Sequence, residues 1–233
     1  MKKEIIIFII SFIGISLCYN YPAILQKKNI SIHQWRQADC LSITQNYYKE
    51  NLPFHTPKIH HMSDVTGKRG VASEFPILYY VIGNIWKITG QQEWIFRFVN
   101  VLIAFVGMFY LFKLFSELFH SIFPTLFLSF FLFTSPIYIY YTNNFLADAT
   151  ALNLVFVGWY QFYQFYKIHK TRLLIYTLIL FTVAGLIKIS SLFSFFALGG
   201  IALFETVGWI KPKSKTLFKP IHILFFILPF IPI

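Results

Sequence analysis

Apolar residues in this chain fall in long blocks, not in the alternation of a strand or the three-to-four spacing of an amphipathic soluble helix. The first block is the start itself, "MKKEIIIFIISFIGISLCYNYPAIL". Later blocks cover residues 94–114, 122–141, 149–166, 173–187 and 190–210, and a last one, "IHILFFILPFIPI", begins at Ile221. About 20 residues cross a hydrocarbon core of roughly 30 Å, so most blocks have spanning length and 173–187 is short. The pattern predicts an all-α integral membrane protein, a multi-span helical bundle. Between the first and second blocks lies a long polar region, which predicts a large first outer loop carrying short interfacial helices. The expected division is residues 1–25, a first transmembrane helix; 26–93, an extracytoplasmic loop; and 94–233, a transmembrane bundle.

The stretch "EFPILYYVIGNIWKITG", residues 74–90, has an apolar part of about 15 residues, some 22 Å as a helix. Charge decides its placement. Lys+Arg number 20 against 9 Asp+Glu, and the cations cluster in "KIHKTR" (167–172) and "KPKSKTLFK" (211–219). If 74–90 lies on the outer interface, both clusters fall in the cytoplasm with Lys2 and Lys3, as the positive-inside rule requires. The expected location is therefore the plasma (inner) membrane, multi-pass, with the polar loop facing the outside or periplasm. Composition agrees: 57% of residues are hydrophobic, 21% are aromatic, and the mean hydropathy is +0.61. Basic residues confined to loops between apolar blocks argue against a nucleic-acid partner. The opening block is longer than a signal h-region and no small-x-small cleavage site follows it, so it reads as a retained anchor. Cys18 and Cys40 have no metal-site spacing.

Candidate chemistry lies where scarce charges meet the ends of the blocks. "SIHQWRQADCLSITQNYYKE", residues 31–50, sets Arg36 and Asp39 three residues apart beside Trp35. Glu74 precedes the interfacial stretch, Asp148 in "NNFLADAT" separates two spans, and Lys188 in "AGLIKISS" sits at an outer turn. Charges beside apolar spans are costly and point to function. Each also has a plain alternative: Lys188 snorkelling, Glu74 at a helix N-terminus, Asp148 as an N-cap, Asp39 paired with Arg36, Trp35 as an interfacial anchor. His55, His60 and His61 read as a solvated loop rather than a metal site. Ser31 and Gln34 match a capping box, and Ser73-Glu74 with Pro76 matches a second helix start. A carboxylate at the membrane interface is partly desolvated, which raises its pKa, while Arg36 lowers it. Such a group is suited to take a proton from an attacking hydroxyl, and nearby cations to stabilise a departing phosphate.

"HQWRQADCLSITQNYYKE" resembles the H-x-WRQADT-x-x-I-x-x-N(F/Y)Y element of bacterial GT-C glycosyltransferases, in the superfamily of protein O-mannosyltransferases and lipid A aminoarabinose transferases. The likeness continues through "EFPILYYVIGNIWKITGQQEWIFRFVN", "LAD" at 146–148 and "GLIK" at 185–188. It covers roughly residues 1–192, the N-terminal part of such an enzyme. The resemblance implies an inverting transfer from a polyprenyl-phosphate sugar donor, at the outer membrane face, to a glycan, lipid or protein acceptor. It implies Asp39 as candidate base and Asp148 as a second catalytic aspartate. Arg36, Lys188 and Trp35 then face substrate, Lys188 near the lipid phosphate. Glu74 corresponds to a carboxylate that binds a divalent metal ion in some relatives. Where mannosyltransferases often carry Asp-Glu, this chain has Asp39-Cys40. A lipid or solute transporter (flippase) and a non-catalytic membrane scaffold are the rival readings; the first expects repeated halves with broken spans, and no repeat is evident.

Overall fold

A computed structural model describes residues 2–29, 32–60, 74–210, 216–219, 222 and 226. Among these residues the secondary structure is helical: α1 (Lys2–Cys18), α2 (Tyr21–Leu25), α3 (Gln34–Lys49), α4 (Ile77–Thr89), α5 (Glu93–Phe119), α6 (Ile122–Phe133), α7 (Pro136–Thr142), α8 (Asp148–Ile168), α9 (Thr171–Ile187) and α10 (Leu192–Thr206), with a single 3-10 turn between the last two. The all-α membrane reading holds. By length and apolarity, α5 and the unit Ile189–Thr206 qualify as spans, and the α6–α7 pair is a third if taken as one. α1 and α9, at 17 residues each, are shorter. α8 is 21 residues long but carries Asn153, Gln161 and Gln164 among its apolar positions.

Three expectations are corrected. The block 122–141 is not one straight helix: it bends by 66° between α6 and α7. Pro136 causes this, because it has no N–H to give and drives Ser135 into extended backbone (φ −62°, ψ 127°). The opening block also breaks, at Asn20 in the left-handed region (φ 56°), before α2 with its early proline. The capping box does not form: α3 starts at Gln34, its N-cap is His33 (φ 59°), and no side chain caps it. Ser31 lies outside the described residues, as do His61 and Ser73.

α8 forms the spine, packed between α5 and α9. α5 approaches closely because Gly107 has no side chain; a Cβ there would sit 2.2 Å from the Asn153 Oδ1. Asn153 is buried, so its polar atoms need partners. It accepts from the Tyr138 hydroxyl at 2.7 Å and donates to the Ala149 carbonyl at 2.7 Å. The outward helix faces are apolar, with Phe123, Phe131, Ile137 and Phe193 each at least 70% exposed, a surface suited to lipid rather than water. α3 and α4 form a separate pair. α4 buries Leu78, Tyr79, Ile82, Gly83 and Trp86, which lie on one face at helical spacing. Gly83 lets α4 reach α3, where an added Cβ would lie 2.8 Å from the Tyr47 Cβ. At 13 residues α4 extends roughly 20 Å at 1.5 Å per residue, too short to span, as expected of an interfacial helix.

Polar clusters mark the two ends of α8. Glu117 near the end of α5 pairs with Lys167 at 2.8 Å and accepts from Gln164 at 2.8 Å. Asp148 begins α8 at the other end. Nineteen helical steps separate Asp148 from Lys167, roughly 28 Å at 1.5 Å per residue, close to the hydrocarbon thickness of a bilayer.

Candidate active site

The loop before α8 is fixed by buried amides. Asn100 on α5 donates to the carbonyls of Asn144 (2.9 Å) and Leu146 (3.2 Å), and its own oxygen accepts from the Thr150 hydroxyl at 2.8 Å. Asn144 Oδ1 takes the Leu146 N–H at 2.9 Å. Together these set the start of α8 and thus the position of Asp148. A second tether sets Glu74: the Phe75 N–H donates to the Leu186 carbonyl at 3.2 Å, tying the approach to α4 against the end of α9. Lys188 follows directly, its own N–H closing α9 on Ala184 at 2.8 Å.

These tethers converge on four charges. Lys188 Nζ lies 2.8 Å from Glu74 Oε1 and 3.0 Å from Asp148 Oδ1. Arg36 Nη2 lies 3.1 Å from the same Glu74 oxygen and 3.6 Å from Asp148 Oδ2. The four side chains are 21–30% exposed. Residues 36, 74, 148 and 188 thus form one alternating square, drawn from α3, the loop before α4, α8 and the end of α9. Burial works against the charge on Lys188, but the two carboxylates outweigh it and hold its pKa above the ordinary lysine value.

Asp39 stands apart. Arg36 turns to Glu74 and Asp148, and among the described residues nothing pairs with the Asp39 carboxylate, which is part-exposed one helical turn along α3. The plain alternative, Asp39 as the partner of Arg36, is not what the geometry shows. Neither of the other carboxylates caps its helix. α8 is capped at Ala147 without a side-chain bond, and α4 begins three residues after Glu74. Beneath the square, Cys40 and Tyr79 are buried with Sγ and hydroxyl 3.1 Å apart. Burial pushes the Cys40 thiol up to about 12. Trp35 is 68% exposed and is not brought into the square. Asn46, on the Asp39 side of the helical wheel, donates to the Lys58 carbonyl at 2.8 Å, and His60 is engaged with Ser42 at 2.6 Å.

A divalent metal at Glu74 does not fit this arrangement. Its contacting oxygen already serves two cations, at 2.8 and 3.1 Å, and a metal would meet both positive charges. Among the described residues no group of three or more His, Cys, Asp or Glu side chains is placed to hold a metal ion.

The sequence model of the dolichyl-phosphate-mannose-protein mannosyltransferase family matches residues 73–233. The chain belongs to that family. It is accordingly a membrane glycosyltransferase of GT-C type, and Glu74, Asp148 and Lys188 of the square fall inside the matched segment. No curated protein and no solved structure matches the chain. The mannosyltransferase family match begins after Arg36 and Asp39, so their assignment rests on the geometry and on the resemblance of residues 33–50.

Sequence reasoning missed Asn100, Asn144 and Arg97. Arg97 is 4% exposed, donates to the carbonyls of Ile24 (2.8 Å), Lys27 and Lys28 (3.0 Å), and lies 4.3 Å over the Phe145 ring. An arginine inside "EWIFRFVNV" was a legible signal, since a charge in an apolar span defaults to a functional reading.

Proposed function

We propose that the protein transfers a sugar from a polyprenyl-phosphate donor to an acceptor hydroxyl at the outer face of the plasma membrane, with inversion and with Asp39 as base. The observation that carries this reading is a carboxylate, unpaired among the described residues, one helical turn from Arg36, which is itself held in a charge square with Lys188. A base must be free to accept a proton, and of the three carboxylates here Asp39 is the one with no cationic partner among the described residues.

In the proposed step the acceptor O–H loses its proton to Asp39 while its oxygen attacks the anomeric carbon. The bond from that carbon to the phosphate oxygen breaks on the opposite side, and polyprenyl phosphate leaves with the electron pair. Arg36 and Lys188 are fixed before substrate arrives, so they stabilise the growing phosphate charge without reorganising. Glu74 and Asp148 keep both cations in place, and Asp148 orients donor or acceptor beside them. Trp35, at the exposed side of α3, anchors the helix at the interface.

The test is the anomeric configuration of the product formed from a polyprenyl-phosphate sugar by the full chain in liposomes. Inversion is expected. Retention would rule out a single displacement, and absence of both transfer and donor hydrolysis would count against the enzymatic reading.

A further inference from the structure

At the end of α8 far from the charge square, a second group of charges is set among tyrosines. Glu117 on α5 is engaged through both oxygens: Oε1 accepts from Tyr160 at 3.2 Å and Gln164 at 2.8 Å, and Oε2 pairs with Lys167 at 2.8 Å. Lys113, one turn earlier on α5, is left out of that pairing, and among the described residues no carboxylate lies within ion-pair distance of it. Its ammonium rests over aromatic rings instead, 4.6 Å from the centre of Tyr160, 5.8 Å from Tyr110 and 6.0 Å from Phe109. The cluster thus holds two cations against one carboxylate. Lys170 and Arg172, both exposed, follow at the same end and add to the excess.

Depth limits what can answer the Lys113 charge. Lys113 lies one turn, roughly 6 Å at 1.5 Å per residue, on the hydrocarbon side of Glu117. A cation at that level is costly. The tyrosine faces offset part of the cost, and the long stem lets the ammonium reach toward the headgroups. The anion that a bilayer itself presents at this level is a lipid phosphate. A zwitterionic headgroup answers its phosphate with its own ammonium. Phosphatidylglycerol and cardiolipin carry an uncompensated negative charge, which complements the excess cation of the cluster. We propose that Lys113, with Tyr110, Tyr160 and Lys167 around it, binds the headgroup of an anionic phospholipid in the leaflet opposite the charge square. Lys113 pairs with the phosphate. Lys167 keeps Glu117 occupied, so that this carboxylate does not compete for Lys113. The site takes no part in sugar transfer, so it stands or falls independently of the transferase reading.

The experiment is native mass spectrometry of the full chain released from nanodiscs of equal phosphatidylglycerol and phosphatidylcholine. One phosphatidylglycerol is expected to stay bound in preference to phosphatidylcholine by about fivefold, the worth of one cation at a membrane surface. Lys113→Met should abolish that preference, and Lys113→Arg, which keeps the charge, should retain it. Lys170→Met removes an exposed cation outside the aromatic cluster and should retain it too. Lys167→Met frees Glu117, four residues from Lys113 on the same helix, to take the Lys113 charge. It should weaken the preference, and it decides the matter if Lys113→Met fails to fold. No preference in the wild-type chain, or a preference unchanged in Lys113→Met and Lys167→Met, would overturn the proposal. Equal loss in Lys170→Met and Lys113→Met would also overturn it, because the attraction would then belong to the basic surface as a whole.

Discussion

Lys188→Met removes one corner of the charge square and keeps most of the apolar stem. Glu74 and Asp148 are then left with Arg36 alone, at 3.1 and 3.6 Å, in place of two cations. Breaking a fully buried pair costs about 3–5 kcal/mol, and an exposed one contributes only about 0.2–1 kcal/mol. With side chains 21–30% exposed, the loss lies between, about 1–3 kcal/mol. That corresponds to a fall of roughly 3–10 °C in the unfolding midpoint for a chain of this size. Its local form is more specific. The Phe75 amide is held by the Leu186 carbonyl beside Lys188, so its hydrogen exchange should speed up by roughly 5- to 150-fold. Lys188→Arg should recover most of the protection, and the double variant with Glu74→Gln should lose less than the sum of the singles. The pH dependence has a definite sign. The Lys188 pKa is raised in the folded protein, so its contribution is full below the ordinary lysine value of 10.5 and is lost as pH rises through the elevated one. Protection of Phe75 should thus be flat from pH 6 to 9. Unchanged exchange and midpoint in Lys188→Met would refute the square as a stabilising unit and leave Lys188 as a snorkelling residue.

Gly107→Val should destabilise the α5–α8 contact severely, because its Cβ would meet Asn153 at 2.2 Å; loss of the folded fraction after detergent extraction is the readout. Asn100→Leu orphans the Asn144 and Leu146 carbonyls and should cost about 1–3 kcal/mol, with turnover reduced through misplacement of Asp148, measured as sugar transfer per folded molecule. For sidedness, a cysteine at the exposed His55 should react with an impermeant thiol reagent from outside intact cells, in a Cys18→Ser background, while one at the exposed Lys170 should not. Cys40 should stay unlabelled, being buried with its thiol pushed up to about 12; labelling at position 170 would overturn the topology.

The square was legible because charge is scarce in this chain. Glu74, Asp148 and Lys188 each stand at the end of an apolar block, where a charge is conspicuous, Arg36 stands in the polar stretch after the first block, and the alternation of basic loops placed them on one face. Their pairing was not legible: the link between Glu74 and Lys188 spans 114 residues and depends on a backbone bond from Phe75. The bend at Pro136 was missed because composition sees an unbroken apolar run while the backbone sees a lost donor. Asn100 and Asn144 were missed for the reverse reason. An amide in an apolar helix or a short loop has no distinctive spacing, and its importance appears only when the fold shows which backbone groups it holds.

The central claim is that Asp39 takes the acceptor proton, and turnover of Asp39→Asn against donor binding tests it most directly. Asparagine keeps the shape but cannot accept the proton, and the charge square does not include it. A group needed only in the transition state lowers turnover and leaves ground-state binding alone. Sugar transfer by the full chain in liposomes should fall about 10²–10⁴-fold, with affinity for the polyprenyl-phosphate sugar unchanged. Wild-type turnover in Asp39→Asn, or a loss confined to donor affinity, would contradict the account.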